Sequence, residues 1–489
     1  MVKLESIAGS LPFFIPELVI SGGILLLIGL GLSKKIHASL LTLVTLTLLV
    51  ISFVFLIVNW NLYAAPAKLF NGLLRSDDFS AYLRLLFDLS GIFTVLMIWR
   101  KQKEQMHLSE YYTILLAVLL GSHLLVMSMN MIMIFVSLEL ISIGSYILAG
   151  LAFSKQGAEG SLKYFLFGSV ASAVMLYGFS FLYGITGTLD FSSSEFVDQL
   201  LERNSTLFFI AALMALAGFF YKIAAAPLHP WAPDVYEAAP IPVIAFFSVV
   251  PKLAGIGILT KFTLALNVFG QSPFDWQFIL CVVSILSLTV GNFSALGQKN
   301  PKRLMAYSSI AQSGFLLVGV TAFLPQGVHF MLFYASIYTL SNFLVFNYLQ
   351  HFSSQGIDTL VTFSGVGKKM VWPSVFILVG FIALTGLPPT SGFTAKFFIF
   401  TSLWESYQLT GKQILLWLLI FGLLNTVVSL FYYLSIPYYA FIKSGETDVK
   451  TNNLTFENLF GLLLVLAILL LFFNPELLMG WINKINFVL

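Results

Sequence analysis

Apolar runs of about 20 residues recur along the whole chain, each closed by a short polar or glycine- and proline-containing interval. About fourteen runs fall near 12–32, 38–59, 79–99, 109–128, 130–151, 161–185, 206–226, 241–266, 276–297, 303–324, 327–349, 373–404, 413–441 and 455–474. At about 1.5 Å per residue, each is long enough to cross a hydrocarbon layer of about 30 Å. No interval is long enough to fold as a separate soluble domain. The pattern predicts an all-α polytopic membrane protein with about fourteen transmembrane helices. The interval 127–130 is so short that it predicts a tight hairpin between the fourth and fifth helices. The first run follows a leader with no basic character, Lys3 being balanced by Glu5, and no small-residue cleavage pattern follows it. It reads as a retained first helix.

Two runs are interrupted. The seventh passes through 219–226 into Pro227, Pro230 and Pro233, with His229 and Trp231 between them. The twelfth is broken by Gly386, Leu387, Pro388 and Pro389, then Gly392. Proline removes a backbone donor and clashes with the preceding turn. At membrane depth such breaks are tolerated only inside protein or around a wet cavity. The breaks lie five runs apart, an odd number, so a second copy of the unit is inverted. Inverted repeats with one discontinuous helix each mark ion and substrate pathways in transporters. The predicted organisation is an N-terminal three-helix segment (1–108), a five-helix repeat (109–266), an inverted five-helix repeat (276–441), and a C-terminal helix and tail (442–489).

Charge in the intervals orients the chain. Odd-numbered intervals carry Lys34, Lys35, Arg100, Lys101, Lys103, Lys155, Lys299, Lys302, Arg303, Lys368, Lys369, Lys443 and Lys450, whereas even-numbered ones carry mainly Lys68, Arg75, Arg203 and Lys412. By the positive-inside rule the odd intervals face the cytoplasm and both termini face the other side. A bacterial inner membrane is the expected location. Asp234 and Glu237 are placed near the outer surface, as structural loop residues.

Composition narrows the function. Only 10% of the 489 residues are charged against 58% hydrophobic, with a mean hydropathy of +0.92. The net charge of +3 gives no reason to expect nucleic acid as a partner. Lipid and neighbouring helices are expected to take most of the 49 phenylalanines. The single Cys281 excludes an internal disulfide, a thiolate metal cluster and Fe–S ligation. No glycine-rich phosphate loop precedes a helix, so no nucleotide, flavin or haem is expected in this chain.

Against this background Glu139, Lys163, Lys222, Lys252 and Lys396 stand out, each in or beside an apolar run. A charge at mid-membrane costs about 2.5–3.5 kcal/mol on insertion scales. A buried lysine loses affinity for its proton and regains it beside a carboxylate, so a row of such groups, linked by water and hydroxyls, passes protons. Competing readings are snorkelling for Lys163, a static ion pair for Glu139, a polar re-entrant break for Lys396 and backbone capping for His229. Arg84 and Asp88, one turn apart, read as an internal pair, and Glu17 as interfacial.

The run Lys222-Ile223-Ala224-Ala225-Ala226-Pro227-Leu228-His229-Pro230-Trp231-Ala232-Pro233-Asp234-Val235-Tyr236-Glu237-Ala238-Ala239-Pro240 resembles the signature of the antiporter-like subunits of respiratory NADH–quinone oxidoreductase (complex I). Lys302-Arg303-Leu304-Met305-Ala306-Tyr307-Ser308-Ser309-Ile310-Ala311-Gln312 and Gly386-Leu387-Pro388-Pro389-Thr390-Ser391-Gly392-Phe393 match as well, and the resemblance spans nearly the whole chain. Lysine at both 252 and 396 is similar to the N-type members. The resemblance implies proton transfer through Glu139, Lys163, Lys222, Lys252 and Lys396, with His229 as a possible relay. It also implies other membrane and peripheral complex I subunits as partners, which would carry NADH, flavin, Fe–S clusters and quinone, and no redox site here. Sodium/proton antiporters of the Mrp type and membrane-bound hydrogenases are the alternatives. Two positions depart from the family pattern: Ala238 where glycine is usual, and Gln312 where many members have histidine.

Overall fold

In hydrocarbon only intrahelical hydrogen bonds can satisfy every backbone group of a single span, so the apolar runs become helices. The computed structural model describes residues 7–33, 37–63, 65–99, 107–151, 154–202, 206–267, 274–445 and 456–486. Its principal helices are α1 (Ile15–Gly31), α2 (Ala38–Val58), α3 (Asp78–Trp99), α4 (Leu108–Met127), α5 (Met131–Gly150), α6 (Lys155–Thr186), α7 (Thr206–Lys222), α8 (Trp231–Ala238) and α9 (Ile241–Leu266). They continue with α10 (Trp276–Leu296), α11 (Pro301–Thr321), α12 (Pro325–Ser353), α13 (Val371–Thr385), α14 (Ser391–Thr410), α15 (Gln413–Tyr433) and α16 (Phe456–Phe473).

Among the described residues, 11 helices are long and apolar enough to cross a membrane, or up to 13 if each of two bent pairs is one span. The short apolar α7 stands apart from that count. Each predicted run thus has a helical counterpart, and the fold is all-α and polytopic. The strands found are a hairpin, Ala67–Leu69 against Leu74–Ser76. Of the basic residues used for orientation, Lys34, Lys35, Arg100, Lys101, Lys103, Arg203 and Lys450 lie outside the described residues.

The chain packs as two units. The first comprises Met1–Ile223, Val250–Trp276 and Ile485–Leu489. Within it α4 packs on α1, α3 and α5, α5 packs on α6, and α6 on α7. The α6–α7 contact is close because Gly178 has no side chain: a Cβ there would stand 2.6 Å from the Ala215 backbone nitrogen. The predicted hairpin between α4 and α5 is present, and Asn130 caps α5 by accepting from the Ile132 amide. Large apolar side chains such as Leu25, Ile51, Phe165 and Val170 point outward, where lipid replaces water as solvent.

The second unit comprises Ala224–Val249 and Gln277–Lys484. Here α12 packs on α11, α13, α14 and α16, and α8 lies on α11. At one end Arg303 donates to Asp234 at 3.0 Å and Glu237 at 2.8 Å, while Lys302 Nζ donates to the Glu237 and Ala239 carbonyls at 2.8 and 3.0 Å. The sequence had placed Asp234 and Glu237 near the outer surface. These ion pairs correct that: both carboxylates sit at the end that carries the ninth interval, where they neutralise its basic residues.

Candidate functional site

In the first unit α7 ends on Lys222, just ahead of the break. The side chain is buried, 3% exposed, and its Nζ donates to Ser142 Oγ on α5 at 3.1 Å. Ser142 follows Glu139 by one helical turn, so the carboxylate lies on the same face of α5 and its charge acts on Lys222. Glu139 itself is half-buried, and its Oε1 accepts no hydrogen bond from the protein. The stem of Lys222 packs beside Gly255 of α9. Three residues earlier on that helix Lys252, 2% exposed, follows the intrahelical Pro251.

Lys163 is placed differently. Its side chain is 41% exposed and its Nζ pairs with Glu159, one turn back on α6, at 2.9 Å. The structure does not bring it into the buried group, and its geometry is that of a surface charge.

Residues 223–230 leave helical geometry, and in the second unit the Ala226 amide is satisfied by Ser287 Oγ of α10 at 2.9 Å. His229 is half-buried in this segment, with Nδ1 accepting or donating no protein hydrogen bond. The second break, 386–390, separates α13 from α14. Lys396, 4% exposed, turns back from α14 and donates to the Thr385 carbonyl at 2.7 Å, one of the acceptors the break releases. Its ammonium lies 3.9 Å from the centre of the Phe315 ring, an attraction to the ring quadrupole that offsets part of the lost hydration.

Gly386 makes this arrangement possible. Its φ is +85°, and a Cβ would stand 2.7 Å from Lys396 Cδ. Gly386→Ala is expected to cost about 1–2 kcal/mol in backbone strain alone and to displace the lysine. The thermal midpoint of the purified protein should therefore fall.

Gln312, the departure from the family's histidine, is held by the Tyr433 hydroxyl, the Leu384 carbonyl and the Tyr334 hydroxyl. With Tyr334, Tyr338 and Ser341 it borders a cavity of about 10 Å³, close to the space one water needs. Tyr338 in turn donates to the Ser248 carbonyl at 3.0 Å, and Tyr236 and Ser309 share a hydrogen bond of 3.0 Å. The second unit therefore surrounds Gln312 with hydroxyls that donate and accept.

Sequence reasoning missed Lys261, Asp77 and His123 in the first unit and gave Glu17, Arg84 and Asp88 the wrong surroundings. Lys261 of α9 donates to Asp77 at 2.8 Å and to the Val126 carbonyl at 2.8 Å. Glu17, Arg84, Asp88 and His123 are all fully buried. Glu17 is thus not interfacial: it receives Arg84 at 3.0 Å. Arg84 and Asp88 do not form the expected internal pair, because each finds a better partner on another helix, Glu17 for Arg84 and Ser52 for Asp88. A census of every ionisable residue inside the apolar runs would have flagged Lys261 and His123; their partners are visible only in the packed helices.

The family model "NADH:quinone oxidoreductase/Mrp antiporter, TM" matches residues 128–422, which include Glu139, Lys163, Lys222, His229, Lys252 and Lys396. NADH-quinone oxidoreductase subunit N 2 of Chloroherpeton thalassium is 36% identical over 479 residues, covering 94% of this chain and 92% of the relative. NADH-quinone oxidoreductase subunit N of Chlorobium chlorochromatii is 35% identical over 480 residues, covering 96% and 92%. A chain of respiratory complex I from Thermus thermophilus superposes with a TM-score of 0.80 at 27% identity, covering 96% of this chain and 100% of that one. With both breaks, their lysines and near full-length similarity in agreement, the chain belongs to the antiporter-like membrane subunits of the NADH–quinone oxidoreductases, in the subunit N branch.

Proposed function

We infer that this chain is a proton-translocating membrane subunit of a NADH–quinone oxidoreductase, working beside the other membrane and peripheral subunits of that complex. The observation that carries the reading is the placement of Lys222 and Lys396 against the two helix breaks, both buried, in a chain of the subunit N branch. NADH, flavin, Fe–S clusters and quinone belong to the partners, and this chain contributes no redox group. It resides in a bacterial inner membrane with both termini on the non-cytoplasmic side.

Protons use Glu139, Lys222, Lys252 and Lys396. A carboxylate beside a buried lysine favours its charged form, and neutralising or withdrawing that carboxylate favours release. Glu139 supplies this control for Lys222 through Ser142 and the shared face of α5. Lys396 receives its proton at a break where the freed Thr385 carbonyl holds the ammonium. His229 serves as a relay at the first break. Lys163, on the surface with Glu159, presents a charge to a neighbouring subunit rather than carrying protons through the interior.

The test is Glu139→Gln, Lys222→Met, Lys252→Met and Lys396→Met, each in the assembled complex in vesicles. Partner subunits should be retained while protons moved per NADH fall. Full pumping in all four variants overturns the route. Sodium-dependent transport without NADH oxidation would point instead to a secondary antiporter.

A further inference from the structure

The first unit encloses a second group of charges away from the lysines. Glu17 on α1, Ser52 on α2, Arg84 and Asp88 on α3 and His123 on α4 are each 0% exposed. Arg84 Nη1 donates to Glu17 Oε1 at 3.0 Å, and the guanidinium lies 4.8 Å from the centre of the Tyr63 ring. Ser52 Oγ donates to Asp88 Oδ2 at 2.6 Å. His123 stands between the two carboxylates, with Nδ1 2.9 Å from Glu17 Oε1 and Nε2 3.3 Å from Asp88 Oδ1.

Both ring nitrogens therefore face carboxylate oxygens. A neutral imidazole has one N–H and one lone pair, so one of these two contacts would set lone pair against lone pair. Every member is buried, so bulk solvent does not screen that repulsion. Only the imidazolium turns a positive N–H edge to each carboxylate, as a hydrogen bond to Glu17 and as a 3.3 Å charge contact with Asp88 Oδ1. The charge count agrees: Arg84 and an imidazolium balance Glu17 and Asp88, whereas a neutral ring would leave one uncompensated negative charge among apolar helices.

We propose that His123 is a proton-binding site in its own right, holding one proton as a fixed imidazolium between Glu17 and Asp88, apart from the lysines that move protons. The groups that face it are Glu17 from α1 and Asp88 from α3, with Arg84 beyond the first and Ser52 beyond the second. The ligand is the proton itself: its charge joins α1 and α4 through the His123–Glu17 hydrogen bond and reaches α3 through the 3.3 Å charge contact with Asp88, which itself accepts from Ser52 of α2. Glu17 Oε2, Arg84 Nε, Arg84 Nη2, Asp88 Oδ1 and His123 Nε2 are buried without protein hydrogen bonds, so the site also has hydrogen-bonding capacity for bound water.

The experiment uses the intact complex, with histidine isotopically labelled, and compares the wild type with His123→Gln by infrared difference spectroscopy at mildly alkaline pH. The expected difference is an imidazolium band lost in the variant; a neutral imidazole band overturns the proposal. Charge balance gives the second readout. His123→Gln should lower the thermal midpoint of the complex, and His123→Gln with Asp88→Asn should recover it. If the single variant does not assemble, assembly of the double variant is the expected result. A single variant as stable as the wild type, a double variant no better than the single, or failure of both to assemble overturns it, since neutrality would then not be what the site requires.

Discussion

Lys396→Met is expected to leave the complex assembled and to lower proton-coupled quinone reduction by about a hundredfold, the low end of what losing a positioned proton-transfer group costs. Methionine has nearly the length of lysine, and replacing a buried charge by an apolar group of similar volume is often neutral for stability. What is lost is the donor to the Thr385 carbonyl and a titratable atom at that break. Lys396→Arg separates the two roles. Arginine can still donate to a carbonyl, but it does not release its proton in proteins. A purely structural lysine would be replaced successfully by arginine; a lysine that loads and unloads would not. Proton uptake per NADH, measured for both variants in vesicles, decides between them, and an arginine variant that pumps normally would remove Lys396 from the route.

Lys261→Met should produce the largest loss of stability. It strands the Asp77 carboxylate in a buried site, and breaking one partner of such a pair costs about 3–5 kcal/mol. Asp77 sits at the start of α3, where it caps the helix by accepting from the Ser80 amide at 2.7 Å, so both the cap and the link to α9 depend on its charge. The double variant Lys261→Met with Asp77→Asn should recover most of the loss. Burial tends to raise the Asp77 carboxyl, but the charge and hydrogen bond of Lys261, with hydrogen bonds from Ser80, hold it below the usual carboxylate range. A depressed folded value means that the stabilisation is complete above the ordinary carboxylate value of about 4 and fades as pH falls through the folded one. Acid should therefore destabilise the wild type through this pair and leave the double variant less affected. Thermal scans across that range test it, and equal acid sensitivity would show that the pair adds nothing.

The architecture was legible because its cause is one-dimensional. A span must be apolar over a fixed length, and a break needs proline or glycine at a fixed place, so both could be read without knowing what packs on what. The lysines at the breaks were legible for the same reason: Lys222 and Lys396 are conspicuous against their runs. Charge partners are not one-dimensional. Lys261 meets Asp77 across 184 positions, and His123 meets Glu17 across 106. Local spacing suggested Arg84 with Asp88, a pairing worth only about 0.2–0.5 kcal/mol on a helix surface. Once both residues are buried on one helix, partners that satisfy them from neighbouring helices win. Lys163 shows the opposite case, a residue whose i,i+4 neighbour Glu159 is its partner, because it lies where water and neighbours compete.

The length of α6 sets where that charge can stand. Its 32 residues extend for about 48 Å at the helical rise, while the hydrocarbon they cross is about 30 Å thick. Even with a tilt, one or more turns must project into the head-group layer. The polar first turns, with Lys155, Glu159 and Lys163, are the part suited to project. Lys163 lies eight residues in, about 12 Å from the helix start, and so comes to rest near the boundary between head groups and hydrocarbon. There an ammonium keeps its hydration while remaining close to whatever packs against α6. Membrane thickness, through the length of one helix, thus fixes the depth at which Lys163 can hold its charge.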